Sequence, residues 1–444
     1  MAYQRTKFIL AQVHPAKLAH WLLDRALHNL IRRGTLRVHL PGGEVRTYGG
    51  TMPTIAISIH DWPTLRRIAL NPYLAIGEAW MDGALSVETG DLYEFLALCL
   101  RNADEAPTHW LWRANHRMRM AVRRLAMHNP VTRARRNVAH HYDLGDDLYD
   151  LFLDPERQYS CAYFQDSRDS LEDAQKHKMR HIAAKLRLEP AQRVLDIGSG
   201  WGGLGMYLAH TTGADVTGLT LSVDQERHAS ARAIREELAG RVRFELRDYR
   251  HQTGRFDRIV SVGMFEHVGA GHYREYFAKI AALLEKDGVA LLHTIGSSCG
   301  PRAPDPWIAK YIFPGGYVPS LSEIVPEIER AGLVATDIEV LRLHYAETLR
   351  AWRERFLARR DEAAVLYDER FCWMWEFYLA ACEAGFRHNR LVVFQIQLAH
   401  RLDAVPTTRN YIEVAKRKLP DPGSETSSAG NKPDAPIDKE VAAE

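Results

Sequence analysis

The chain has 444 residues, 46% of them hydrophobic, which is enough for a complete α/β domain and a smaller companion. Lys and Arg total 58 against 56 Asp and Glu, so a net charge of +2 gives no global attraction to nucleic acid and leaves electrostatic partners to local clusters. The five cysteines (Cys99, Cys161, Cys299, Cys372 and Cys382) are odd in number and widely spread, which argues against a disulfide framework and a zinc site and fits a reducing cytoplasm. No metal is expected. No apolar run approaches the roughly 18 residues of a membrane span, and residues 1–30 lack a signal-peptide core, so a membrane would be met from the side.

Residues 1–109 read as a small α+β unit: GTLRVHLPGGEVRTYGG predicts a hairpin around Pro41-Gly42-Gly43, and TIAISI a further strand, with helices to follow. Residues 110–138 form a basic linker in which Arg113, Arg117, Arg119, Arg123, Arg124, Arg133, Arg135 and Arg136 interleave with Trp110, Trp112, Met118, Met120, Leu125 and Met127. Two readings stand for it, a solvated interdomain helix and a basic helix lying on anionic lipid. Across 139–419, strands are predicted at RVLDIG, DVTGLT, VRFELRDY, FDRIVSVGM, GVALLHTIG, LVATDIEVL and LVVFQIQLAH, separated by helical stretches. That alternation implies a doubly wound α/β sheet that binds its ligand beyond the carboxyl ends of the strands. Residues 420–444 lack aromatics and are rich in small and polar types, so a disordered tail is expected.

The strongest motif is the first of these strands running through Asp196 into Gly198-Ser199-Gly200-Trp201-Gly202-Gly203. Glycines let backbone approach a ligand and turn at positive φ. A dinucleotide fold uses a similar turn, but Asp196 stands before the glycines, where it can receive an ammonium, and no acid ends the second strand, which runs through Thr220, Ser222 and Gln225. After the third strand, Asp248 and Tyr249 are placed to meet an adenine.

Polar groups that a core would not choose follow the fourth strand (Glu266), end the fifth (His293) and open a long helical region (Tyr345). Each has a plain alternative as a helix cap, a core histidine or a packing ring; their convergence on one edge beside the glycine turn favours a site. Cys161 invites a nucleophile's role, yet no charged neighbour in its segment lowers its pKa.

The runs His141-Tyr142-Asp143-Leu144-Gly145, Gln158-Tyr159-Ser160-Cys161-Ala162-Tyr163, the glycine turn, Ser261 through Gly269, and Ile312-Phe313-Pro314-Gly315-Gly316 resemble the cyclopropane-fatty-acyl-phospholipid synthases, which include the mycolic acid cyclopropane synthases. The likeness runs over 139–402, and Gly77-Glu78 with Met81-Asp82-Gly83 extends it into the first domain. It implies a seven-stranded class I methyltransferase sheet and an N-terminal domain of lipid-binding or dimerisation type. The implied activity is transfer from S-adenosylmethionine to the cis double bond of unsaturated acyl chains in membrane phospholipids. The cofactor set it implies is Tyr159, Ser160, Asp196, Gly198, Gly200, Gly202, Thr220, Ser222, Gln225, Asp248 and Tyr249.

Methyl transfer to an alkene leaves a carbocation, and the resemblance implies a bicarbonate ion that removes a proton so the ring closes. Its holders correspond to Cys161, Glu266, His293, Ile295 and Tyr345, with Cys161 and Ile295 acting through backbone; Cys382 matches a nearby cysteine, for which a structural thiol is the simpler role. Tyr311, Phe313, Tyr317, Trp373, Trp375 and Phe377 are set to line an acyl tunnel or to pack. A homodimer peripheral to the inner membrane face, with no nucleic acid partner, completes the expectation. The alternative is a C-methyltransferase that leaves a methyl branch or methylene.

Overall fold

The structure, a computed structural model, describes residues 15–103 and 145–420 together with 118 and 120. The expectations for the basic stretch, for His141 to Leu144 and for the tail therefore lie outside the described residues.

The N-terminal unit runs α1 (Pro15–Leu30), β1 (Thr35–His39), β2 (Val45–Gly49), β3 (Thr54–Ile59), α2 (Trp62–Leu70), α3 (Pro72–Met81), β4 (Leu85–Thr89) and α4 (Leu92–Ala103). Its four strands lie in the order β2-β1-β3-β4. The hairpin forms where Gly42 and Gly43 take φ of +104° and +89°, closed by the Leu40 amide donating to the Glu44 carbonyl at 2.8 Å. Strand β4 was not foreseen, because LSVET is short and hides between two helices; it pairs antiparallel with β3.

The larger unit runs α5 (Asp146–Tyr149), α6 (Leu171–Leu186), β5 (Arg193–Ile197), α7 (Gly203–Thr212), β6 (Asp215–Thr220), α8 (Val223–Arg235), β7 (Val242–Leu246), β8 (Phe256–Val262), α9 (Tyr273–Leu283) and β9 (Leu284–Ser297). It continues through α10 (Pro306–Tyr311), α11 (Leu321–Arg330), β10 (Val334–Val340), α12 (His344–Ala358), α13 (Arg360–Leu366), α14 (Glu369–His388), β11 (Leu391–Ala399) and α15 (Asn410–Lys418). The long helical region foreseen after His344 is thus three helices, α12 to α14. All seven foreseen strands form one sheet, in the order β10-β11-β9-β8-β5-β6-β7, with β11 antiparallel to both neighbours. Because side chains alternate along a strand, Val194, Val216, Val260 and Leu291 face one core with α6 and α7, while Leu195, Leu219, Ile259 and Leu292 face a second with α9 and α11.

One hydrophobic cluster spans both units, joining Ala79 and Met81 to Trp307, Trp375 and Phe377. At this seam α3 comes so close to the larger unit that a Cβ on Gly77 would lie 2.4 Å from Trp307 and 2.8 Å from Phe377. Glu78 next to it accepts from Lys310 at 2.7 Å and from the Tyr311 hydroxyl at 3.0 Å, and Arg370 reaches Asp82 at 3.1 Å. Tyr311, foreseen as a tunnel ring, has its hydroxyl committed to this seam. Replacing Gly77 with Val should strain the packed contact by about 1–3 kcal/mol. Thermal unfolding is expected to show a lowered Tm, and an unchanged Tm would mean that the two units part readily in solution.

Candidate active site

In the sheet order, connections run one way from β5 to β6 and β7, then the other way to β8 and β9, so a crevice opens at the carboxyl edge between β5 and β8. The glycine turn fills that edge. Gly198, Gly200 and Gly202 all take positive φ, and the amides of Gly198 and Ser199 both donate to the Leu219 carbonyl at 2.9 Å, which ties the turn to β6. A Cβ on Gly200 would meet nothing within 4 Å, so the turn faces open space there. Gly202 serves packing instead, since its Cβ would lie 2.6 Å from Phe244.

The cavity beyond the turn is lined by Tyr159, Ser160, Asp196, Gly198, Gly200, Thr220, Gln225, Asp248 and Tyr249, together with Arg157, Gln158, Leu221, Met264 and His267. Gly202 and Ser222 stand behind this lining; Ser222 caps α8. Thr220 donates to Gln225 at 2.8 Å, and Asp248 is held by Arg250 at 2.7 Å, an ion pair that keeps its carboxyl below the usual range despite burial. Asp196 is different. It is 1% exposed, neither of its oxygens has a hydrogen-bond partner, and burial pushes its carboxyl up to about 7 against the opposing pull of Lys178. A buried carboxylate without donors is costly unless a cation comes to it. The cavity therefore suits a ligand that offers an ammonium at Asp196.

A second set of polar groups stands on the adjoining strands of the same edge. Glu266, in the turn after β8, is buried; its Oε1 accepts from the Ile295 amide at 2.6 Å, while Oε2 has no partner. His293 on β9 is 2% exposed, and burial holds its pKa well below the usual value. The Gln395 amide donates to its Nδ1 at 3.2 Å, which leaves the proton on Nε2 and makes that atom a donor. Tyr345, near the start of α12, packs its ring against Trp352 and Phe386 at centroid distances of 5.8 and 4.7 Å. The hydroxyls of Tyr159 and Tyr378 lie 2.8 Å apart, and Tyr378 feels both Tyr345 and Cys382. Burial raises the Cys161 thiol well above its normal range and pushes Cys382 up to about 12, so neither is a thiolate. Of the foreseen tunnel rings, Phe313 packs between His267 and Tyr378, whereas the Tyr317 hydroxyl is tied to Glu323 at 2.7 Å. Trp375 and Phe377 belong to the core, and Trp373 lies beside Gly83.

Residues 129–396 match a family model described as mycolic acid cyclopropane synthetase. The chain belongs to that family. Residues 22–109 match a second model, a domain of unknown function. The cyclopropane-fatty-acyl-phospholipid synthase of Escherichia coli K12 is 42% identical over 331 residues, covering 74% of this chain and 84% of that one. The tuberculostearic acid methyltransferase of Mycobacterium tuberculosis is 38% identical over 346 residues, covering 74% of this chain and 79% of its own. Among solved structures, a mycolic acid cyclopropane synthase complexed with SAH and CTAB aligns with a TM-score of 0.57 at 34% identity, covering 61% of this chain and 99% of that one. A coclaurine N-methyltransferase at 18% identity and a TM-score of 0.60 shares the class I methyltransferase fold.

In this chain the residue that sequence reasoning passed over is Lys178 on α6, fully buried, its pKa lowered to about 8 by burial. It hides in QKHKMRHIAAK, which looks like a solvated helix. The available signal was the spacing of Lys178, His181 and Lys185, three basic groups on one helical face that also carries the buried Ile182.

The buried acids make stability depend on pH. Burial pushes Glu266 from 4.5 up to about 7, so the folded protein binds that proton more tightly than the unfolded chain. Its penalty is absent below pH 4.5 and grows as pH rises through 7. Glu266→Gln should therefore be more stable than the parent by ~3 kcal/mol near pH 8, with the gap closing toward acid pH. Urea unfolding across that range checks this; a pH-independent gap would contradict the burial argument.

Proposed function

We propose that this synthase transfers the methyl group of S-adenosylmethionine to the cis double bond of an unsaturated acyl chain in a membrane phospholipid and closes a cyclopropane ring. The observation that carries the reading is the orphaned carboxylate of Asp196 at the glycine turn, with Glu266, His293 and Tyr345 on neighbouring elements of one sheet edge. S-adenosylmethionine supplies an electrophilic methyl group. Asp196 accepts its ammonium, the open face at Gly200 gives room for its backbone contact, and Asp248 and Tyr249 serve its adenosine end. An alkene is a weak nucleophile, so the chain's contribution is to hold donor and double bond in line in a water-poor pocket.

Bicarbonate, when bound, supplies a base for the new methyl group. His293 Nε2 and the Tyr345 hydroxyl would be its donors, and Glu266 Oε2 would accept its hydroxyl hydrogen, which would avoid contact between two bare negative charges. The Ile295 amide is committed to Glu266, so it acts by fixing that carboxyl's direction. A second reading stops at a methyl branch or methylene, and the likeness to a tuberculostearic acid methyltransferase supports keeping it. Proton NMR of acyl chains after incubation with cis-unsaturated vesicles separates the two, because cyclopropane methylene protons resonate far upfield.

No helix among the described residues is long and apolar enough to cross a membrane, which supports contact from the side. We propose a homodimer at the inner membrane face of the cytoplasm, with the basic stretch at 110–138 against anionic lipid. Each basic group near such a surface contributes about 1 kcal/mol, screened within a Debye length. Cosedimentation with anionic vesicles should weaken with salt; binding indifferent to both salt and anionic lipid content would return the stretch to a linker.

Tyr345→Phe removes one hydroxyl and leaves the ring packing intact. Loss of one charge-assisted hydrogen bond should slow turnover about ten- to a hundredfold. Cofactor affinity should hold, and added bicarbonate should restore part of the rate by mass action. Full turnover of this variant in bicarbonate-depleted buffer would dismiss the anion-assisted mechanism.

A further inference from the structure

Lys178 has no part in the function as argued so far, yet it is fully buried in the catalytic unit. Its ammonium donates to Gln158 Oε1 at 2.6 Å and to Ser160 Oγ at 2.9 Å, and no carboxylate among the described residues lies within ion-pair reach of it. An ammonium has three donors and no acceptor, so both neighbours must accept from it. Ser160 Oγ, having accepted, must send its own hydrogen elsewhere, and Ser160 lines the cavity at the glycine turn. One helical turn earlier, Gln175 donates from Nε2 to the Gln158 carbonyl at 3.1 Å and to the Ser160 carbonyl at 3.0 Å. Two side chains of α6 thus pin residues 158–160 from behind and aim the Ser160 hydroxyl forward, with a positive charge directly at its back.

The same cavity holds the orphaned Asp196 carboxylate. The cavity thus offers a hydroxyl donor backed by a cation and an unpaired anion, and the two together complement an amino-acid zwitterion. We infer that Lys178 is a positioning residue for the methionyl end of the cofactor: through Ser160 it receives the α-carboxylate while Asp196 receives the α-ammonium. This rests on the placement of S-adenosylmethionine at the glycine turn. The ammonium touches only neutral groups and is attracted from beyond contact by the buried carboxyls of Asp154 and Asp196, so when the ligand's ammonium occupies Asp196 its carboxylate restores an anion on the Lys178 side.

The test compares ligands that share the adenosyl thioether and differ in the amino-acid group, by calorimetric titration of the full chain. S-adenosylhomocysteine should bind Lys178→Met about tenfold or more weakly than the parent, the loss expected for one charged hydrogen bond. Methylthioadenosine, which lacks the amino-acid group, and an analogue of S-adenosylhomocysteine lacking only the carboxylate should each bind parent and variant within about twofold. Thermal unfolding without ligand should change little, because an apolar chain of similar length replaces a buried ammonium that touches no carboxylate. Ser160→Ala, a milder change, should reproduce the selectivity and carries the test if Lys178→Met does not fold. Equal losses for all three ligands, or none for S-adenosylhomocysteine, would overturn the role of Lys178. Failure of the parent to bind any of the three would instead overturn the cofactor site itself.

Discussion

Charge buried without a counter-charge in contact is the constraint around which the catalytic unit is arranged. Asp196 and Glu266 keep buried carboxylate oxygens with fewer donors than an ion there requires, and Lys178 keeps an ammonium whose hydrogen bonds go to neutral acceptors. Such groups hold their places only where the surrounding chain leaves them no alternative. The sheet supplies that: Glu266 is fixed through its side chain by the Ile295 amide and through its carbonyl by the Tyr317 amide, at 2.6 and 2.9 Å. Asp196 lies on β5, flanked by β6 and β8, whose apolar side chains fill cores on both faces. The empty protein carries the electrostatic penalty, and ligands of complementary charge relieve it by binding the folded state alone.

The architecture of the catalytic unit was largely legible because its signals are local. Buried strands read as short β-branched runs, and the glycine turn announces itself by composition. The site was legible only in part. Glu266 and His293 could be set at one edge from strand order, but nothing in the residues shows that the Ile295 amide serves Glu266 or that Gln395 fixes the His293 tautomer, since the first contact joins the turn after β8 to β9 and the second crosses from β11 to β9, 102 residues apart in sequence. Lys178 escaped because a lysine in an amphipathic helix reads as surface until the face it shares with Ile182 is known to be buried.

Aromatic residues were the least informative. Tyr311, Tyr317 and Phe313 come from one short segment, yet the first hydroxyl binds Glu78 of the N-terminal unit, the second binds Glu323, and only the Phe313 ring approaches the crevice. A ring's apolar bulk suits a core, a seam or a tunnel equally well, and only the direction of its polar tip tells them apart. Strand β4 was missed for a related reason: five residues between helices carry too little periodicity to outweigh their neighbours.

The seam at Gly77 makes the two units a single item of inheritance. Trp307 and Phe377 leave no room for a side chain there, Glu78 answers Lys310 and Tyr311, and Asp82 answers Arg370, so each half carries one side of a fitted joint. A chimera that took its first hundred or so residues from a distant relative would bring a surface cut for other partners. Recombination within this family is then constrained to move the joint as a whole, and substitutions on α3 and α10 should have accumulated in pairs.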